Sequence, residues 1–89
     1  MAIKVEVFST STCPHCPAAI EAAQKAKDKF GEAIDVESVK IDDPNSPENI
    51  QRANDYQIMA VPTIVIEGEV AFLGAPSDDD LINYIESLL

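Results

Sequence analysis

The chain has 89 residues, 46% of them hydrophobic, and it carries 16 acidic against 6 basic side chains, for a net charge of −10 at pH 7. This length fits a single domain, residues 1–89, and the hydrophobic fraction argues against disorder. An acidic surface repels a phosphate backbone, so we expect no nucleic-acid partner. The sequence has no run of 18 apolar residues, so we expect no membrane span. The N-terminus has the pattern of a strand and not of a signal peptide, so we expect a cytoplasmic protein, and the acidic surface favours a monomer. The charge either keeps the protein soluble or steers it toward a basic partner.

The first half of the chain alternates between strand and helix signals. Ile3–Phe8 is rich in β-branched residues and partly alternating, which predicts the first strand. Pro14–Phe30 is rich in alanine and has apolar residues at helical spacing, and Gly31 provides a stop signal, so the first helix is predicted here. Val36–Ile41 predicts the second strand.

The second half contains a helix, a hairpin and a final helix. Asn45-Ser46-Pro47-Glu48 predicts a helix start, with a capping residue before a proline at the first helical position. This helix carries Ile50, Ala53 and Tyr56. Thr63–Ile66 and Val70–Leu73 flank Glu67-Gly68-Glu69, which predicts a hairpin.

The final helix is predicted from the cap Ser77, which precedes Asp78-Asp79-Asp80. Its buried stripe is expected to be Leu81, Ile85, Leu88 and Leu89. The element order is therefore βαβαββα, with the first two strands parallel and joined by a right-handed crossover. We predict an α/β fold: a four-stranded mixed sheet with helices on both faces.

The two cysteines lie in Cys13-Pro14-His15-Cys16, where the first strand leads into the first helix. We expect Cys13 at or just before the first helical residue, where the helix dipole and free N–H groups stabilise a thiolate and lower the cysteine pKa. Pro14 fits the first helical position, and Cys16 lies one turn further on the same face, within reach of Cys13. Pro17 is expected to distort this turn.

Several roles for the pair are open. A structural staple over four residues would remove little unfolded-state entropy. A zinc site normally needs four ligands, but two thiolates can bind a soft ion such as Cu(I) or Zn(II), and Thr12–Cys16 is similar to the loop of ferredoxin-like heavy-metal chaperones. A redox-inert interaction module is a third alternative. His15 is either an exposed residue or a cation that stabilises the Cys13 thiolate.

The sequence resembles the thioredoxin superfamily, and in particular the small glutaredoxin-like thioredoxins of archaea. The resemblance covers nearly the whole chain and depends on the Cys13–Cys16 motif, on Met59-Ala60-Val61-Pro62-Thr63, and on Gly74-Ala75-Pro76. It implies that Pro62 is cis and faces a Cys13–Cys16 disulfide, and that the backbone before it pairs with the substrate. It also implies a disulfide reductase in which Thr12, Val61, Pro62 and Gly74 line a neutral docking surface.

The chain departs from the family at three places. Thr12 replaces the tryptophan usual before the first cysteine, and Val7 stands where thioredoxins bury an acid, so deprotonation of the resolving thiol needs water or Glu6. The segment from Gly74 to Asp78 matches the glutathione motif of glutaredoxins only in part. The Pro14-His15 dipeptide matches strongly oxidising proteins of the DsbA type.

The expected activity is thiol–disulfide exchange through a mixed disulfide, with Cys13 attacking and Cys16 resolving. No cofactor and no metal are expected, because the two sulfurs carry the electrons. The partners are disulfide-containing proteins and a reductase that restores the dithiol. A reduction potential between those of thioredoxin and the DsbA type is expected.

Overall fold

The computed structural model describes residues 2–89. Its elements follow the predicted order, with one short 3₁₀ turn at Gly31–Ala33. They are β1 (Ile3–Ser9), α1 (Cys16–Phe30), β2 (Ile34–Lys40), α2 (Glu48–Asp55), β3 (Thr63–Ile66), β4 (Glu69–Leu73) and α3 (Asp78–Leu88). Within these residues, none of the helices is long and apolar enough to cross a membrane.

The four strands form one mixed sheet in the order β2-β1-β3-β4. β1 runs parallel to β2, with Ile3 opposite Ile34, whereas β3 is antiparallel to both β1 and β4. The predicted α/β class and the mixed four-stranded sheet are therefore confirmed. The hairpin between β3 and β4 is confirmed as well. Its two central residues, Glu67 and Gly68, both have positive φ (53° and 81°), as a two-residue turn of type I′ requires.

The alternating side chains of β1 contribute to a hydrophobic core on each face of the sheet. Val5 and Val7 belong to the core under α1 and α3, whereas Phe8 belongs to the core under α2. The helix α1 turns a row of fully buried small side chains toward the first core: Ala19, Ala22, Ala23 and Ala26. These side chains let α1 lie close to the sheet, which fixes the position of its N-terminus relative to the end of β1.

The start of α1 differs from the prediction. The helix begins at Cys16 with His15 as N-cap, not at Pro14, and Pro17 lies in its first turn. The reason is that the first N–H groups of a helix have no intrahelical partner, so a proline there loses no hydrogen bond. A helix starting at Pro14 would have required an N–H from Pro17. Pro17 cannot donate that hydrogen bond, so the turn predicted at Pro14 is not helical, in agreement with the expected distortion by Pro17.

The cap of α2 differs from the prediction, whereas the cap of α3 does not. The N-cap of α2 is Pro47 without a side-chain hydrogen bond, so neither Asn45 nor Ser46 caps the helix through its side chain. The cap of α3 is confirmed, because Ser77 Oγ accepts from the Asp80 N–H at 3.1 Å.

The buried stripe of α3 is shorter than predicted. Leu81 and Ile85 are fully buried, whereas Leu88 is 47% and Leu89 63% exposed. Neither of the last two joins the core under α1 and α3, which ends at Ile85 along this helix.

Candidate functional site

The two cysteines lie at the junction of β1 and α1 and form a disulfide, with their Cα atoms 5.4 Å apart. Residues 10–13 make a turn in which the Cys13 N–H donates to the Thr10 carbonyl at 3.4 Å. Cys16 is the first residue of α1, so the sulfur bonded to it lies at the N-terminal end of the helix. The Cys13 sulfur therefore lies beside the N-terminus of a helix, as expected for a stabilised thiolate, although the Cys13 residue itself precedes the helix by three positions.

The two sulfur-bearing residues differ in exposure. Cys16 is 2% exposed, whereas Cys13 is half-buried at the surface of the loop. A disulfide exchange needs one thiol that an external disulfide can approach and a second that can reach the first. The arrangement can therefore support attack by Cys13 and resolution by Cys16.

Pro14 and His15 lie exposed between the cysteines. His15 is the N-cap of α1, but its side chain makes no capping hydrogen bond. The imidazole is thus free to face solvent or an incoming substrate, and its effect on the Cys13 thiolate stays a prediction.

The segment before β3 lies at the same end of the sheet as the cysteine loop, residues 10–15 between β1 and α1. The Val61–Pro62 peptide bond is cis, as the family resemblance implied. Thr63 pairs with Phe8, one residue before the end of β1. The chain before Thr63 and the chain after Ser9 therefore leave the sheet at the same end of these two strands. Thr63 Oγ1 also donates to the Ala60 carbonyl at 2.7 Å, which closes a turn around Pro62.

Gly74 is joined to this segment directly. Its N–H donates to the Pro62 carbonyl at 2.8 Å, and its φ of +97° suits glycine. The structure therefore brings Pro62 and Gly74 together, whereas Thr12 belongs to the cysteine loop.

Two apolar side chains that the sequence argument did not assign to the site flank this segment. Met59 is 97% exposed and Leu73 is 81% exposed. Both lie close to the predicted docking residues along the chain, since Leu73 directly precedes Gly74 and Met59 lies two residues before Val61. Their apolar character within a loop and at a strand end was the signal that could have identified them.

A carboxylate that the sequence argument missed contacts the cysteine loop. The Ser11 backbone N–H donates to both oxygens of Asp42, at 3.1 and 3.0 Å, and the Ser11 hydroxyl donates to Oδ1 at 3.3 Å. The backbone N–H of Ser11 in particular holds the pKa of the Asp42 carboxyl below its ordinary value. The parallel pairing of β1 and β2 was the available signal, because it places the C-terminal ends of both strands side by side.

Glu6 does not serve the cysteines as the sequence argument had allowed. Its side chain is buried on the α2 face of the sheet, where it contacts the Arg52 guanidinium and accepts from the Tyr56 hydroxyl at 3.3 Å. Arg52 also contacts Glu37 at 2.7 Å, and this contact lowers the pKa of Glu37 from 4.5 to about 2. Because α1 and Cys16 lie on the other face, Glu6 belongs to a structural ion-pair cluster.

Comparison with known proteins agrees with this geometry. A thioredoxin domain model matches residues 1–86. A probable thioredoxin of Methanothermobacter marburgensis is 46% identical over 85 residues, covering 96% of this chain and 94% of that protein. A thioredoxin of Methanocaldococcus jannaschii is 42% identical over 87 residues, covering 98% and 96%.

The fold also matches solved structures at low sequence identity. A malaria-parasite thioredoxin-2, described as a component of protein secretion machinery, has a TM-score of 0.79 at 21% identity and covers 97% of this chain and 82% of its own. A second structure, described as a malarial protein, has a TM-score of 0.78 at 21% identity and covers 100% and 99%. The family model and the relatives above 40% identity place the chain in the thioredoxin family, as a thiol–disulfide oxidoreductase.

Proposed function

We propose that the protein is a disulfide reductase in which Cys13 is the nucleophile and Cys16 the resolving thiol. The observation that carries this assignment is the difference in exposure, with Cys13 at the surface and Cys16 2% exposed. An external disulfide approaches the outer sulfur more easily than the inner one, and the N-terminus of α1 stabilises the negative charge that attack requires.

The reaction proceeds in two exchanges. The Cys13 thiolate attacks a substrate disulfide, forms a mixed disulfide and releases one substrate thiolate. Cys16, as a thiolate after losing its proton to water, then attacks the Cys13 sulfur and releases the second substrate thiolate. One disulfide is reduced and the Cys13–Cys16 disulfide forms, so two electrons pass from the protein to the substrate and no cofactor is required.

The substrate docks beside the cysteine loop. Thr12, Val61, Pro62 and Gly74 form an uncharged region there, in which Pro62 is buried and the backbone before it is the pairing partner for an extended substrate segment. The exposed side chains of Met59 and Leu73 extend this surface with apolar area. Pro14 and His15 tune the Cys13 thiolate, and a protonated His15 favours the reduced state.

The partners in this proposal are disulfide-containing proteins and a reductase that returns the Cys13–Cys16 disulfide to the dithiol. We place the protein in the cytoplasm as a monomer of one domain, since a reductase role suits a reducing compartment. The carboxylates of glutathione find no lysine or arginine next to the cysteines in the sequence, and the charged side chain that hydrogen-bonds Ser11 is the acidic Asp42, so the site does not favour glutathione as the donor.

The test is trapping of the mixed disulfide. In Cys16→Ser, the first exchange proceeds and the second is blocked, so a covalent adduct with a disulfide peptide accumulates, bound through Cys13. The matched variant Cys13→Ser retains only the buried thiol and should give little adduct. If both variants trap the peptide equally, or neither does, the assignment of roles is wrong.

The alternative, a carrier of Cu(I) or Zn(II) bound to the same two thiolates, is tested on the reduced protein. Among residues 2–89, no three His, Cys, Asp or Glu side chains cluster as a metal site, so a bound ion would depend on the two sulfurs. Retention of one equivalent of either ion at sub-micromolar free metal would favour the carrier.

A further inference from the structure

Asp42 is the only acidic side chain within residues 2–89 that hydrogen-bonds a residue of the cysteine loop. Both of its oxygens accept from the Ser11 backbone N–H, at 3.1 and 3.0 Å, and the Ser11 hydroxyl donates as well. Hydrogen bonds from a backbone N–H to a carboxylate are charge-assisted and stronger than those between neutral groups. The contact joins residues 31 positions apart in the chain.

Ser11 is a central residue of the turn that places Cys13. The turn spans residues 10–13 and has one backbone hydrogen bond of its own, from the Cys13 N–H to the Thr10 carbonyl at 3.4 Å, which is long. The contacts of Ser11 with Asp42 are more numerous and shorter. The position of this turn therefore depends more on Asp42 than on its internal bond.

Asp42 follows a segment that is hydrogen-bonded on both sides. The preceding residue, Ile41, donates its N–H to the Ser9 carbonyl at 2.8 Å, which extends the pairing of β1 and β2 by one bond. The end of β2 is fixed further by Asn49, whose side chain donates to the Lys40 carbonyl at 2.8 Å. A carboxylate on this support can hold the loop in one place.

The need for such a support changes with the redox state. In the oxidised protein, the disulfide to the buried Cys16 holds Cys13 in place. When that bond is reduced, the covalent link is lost, and the turn and its contact with Asp42 are left to keep the Cys13 thiol near Cys16. A thiol held close to its partner forms the disulfide more readily, because less conformational freedom is lost on closure.

We propose that Asp42 is a positioning residue for Cys13, which holds the reduced cysteine loop through Ser11 and so favours closure of the Cys13–Cys16 disulfide. The inference deepens the proposed function and rests on it. It concerns the placement of the thiol by a hydrogen-bond acceptor; the negative charge of Asp42 is a separate property, which an asparagine at this position removes.

The experiment measures the equilibrium between reduced protein and oxidised glutathione. One protein dithiol and one glutathione disulfide give the protein disulfide and two glutathione thiols, so one S–S bond breaks and one forms. For Asp42→Ala we expect the equilibrium constant to fall by about fivefold to tenfold, because the acceptor is gone. For Asp42→Asn we expect a value within twofold of wild type, because the amide oxygen still accepts from Ser11.

The matched control is Asp43→Asn, which removes the same charge one residue further on. Asp43 accepts from the Asn45 N–H at 2.9 Å and makes no hydrogen bond to the cysteine loop. We expect its equilibrium constant to equal that of wild type. A role in overall stability alone would lower the unfolding midpoint of Asp42→Ala without changing the glutathione equilibrium.

Three results would overturn the proposal: an unchanged constant in Asp42→Ala, an equal loss in Asp42→Asn, or an equal loss in Asp43→Asn. Amide hydrogen exchange of Ser11 in the reduced wild-type protein tests it without any variant, since an unprotected amide there would also refute it. If wild type forms no disulfide at any glutathione ratio, the proposed function itself fails. If wild type and Asp42→Ala close equally well, only the positioning role fails.

Discussion

The buried carboxylate of Glu6 depends on one cation, Arg52, and replacing that cation has a predictable cost. The Glu6 side chain is only 6% exposed, and its other partner is the neutral Tyr56 hydroxyl. Removing one member of a fully buried ion pair costs about 3–5 kcal/mol. The Arg52 side chain is 30% exposed, so water can replace part of the interaction, and we expect Arg52→Met to lose about 2 kcal/mol of unfolding free energy.

The assay is urea unfolding at pH 7, in which this loss lowers the midpoint by about 1–2 M for a domain of this size. The control is Lys4→Met, which removes a cation from the same cluster. Lys4 contacts Glu37 at 3.2 Å, but both side chains are more than 40% exposed. Such surface pairs contribute little, so this variant should unfold at the wild-type midpoint within error.

The difference in unfolding free energy between wild type and Arg52→Met should depend on pH, and the direction of that dependence can be stated. Arg52 lowers the pKa of Glu37 to about 2 in the folded state, from an ordinary value of 4.5. A depressed pKa stabilises the fold above about pH 4.5, and that stability is lost as the pH falls toward 2. The difference between wild type and Arg52→Met should therefore be largest near pH 6–7 and smaller at pH 3. A difference that is absent at pH 7, or that grows on acidification, would refute the reasoning.

Three further substitutions test other parts of the account. Ser77→Ala removes the side-chain cap of α3 and should cost about 1 kcal/mol in urea unfolding, and an unchanged midpoint would contradict the cap. Gly74→Ala places a side chain at φ +97° and should cost about 1–2 kcal/mol in urea unfolding, and an unchanged midpoint would show that this backbone conformation does not require glycine. Met59→Ser, at a 97% exposed position, should leave the unfolding midpoint unchanged but slow reduction of a disulfide peptide with apolar flanks, and equal rates would remove Met59 from the docking surface.

Much of the fold could be predicted from local sequence signals. The alternation in β1, the glycine in the hairpin turn and the serine cap of α3 each act over a few residues, so each can be identified without tertiary information. The start of α1 is hard to predict from the sequence, because Pro14 and Pro17 each fit the first turn of a helix and only one of them lies there. The exposed Leu88 and Leu89 were misassigned because helical spacing indicates a face but gives no information on where the opposing core ends.

The residues of the candidate site also divide into those that the local sequence identifies and those that need the family resemblance or the tertiary structure. Cys13 and Cys16 lie three positions apart in the sequence and carry their own chemistry, so the sequence alone identifies them. Pro62 and Gly74 came from the family resemblance, since no local signal indicates that the Gly74 N–H bonds the Pro62 carbonyl. The contact of Asp42 with Ser11 depends on two parallel strands ending together, and it becomes visible only when the sheet order is known.

The central claim is that Cys13 and Cys16 form a working redox couple, and equilibration of the protein with dithiothreitol and glutathione buffers tests it most directly. The account predicts a reversible intramolecular disulfide, with a reduction potential between about −270 mV, the value for thioredoxin, and about −120 mV, the value for the DsbA type. Within that range, a potential near the thioredoxin value supports the reductase role, and one near the upper limit indicates an oxidant. A protein that forms no intramolecular disulfide in any of these buffers would contradict the account.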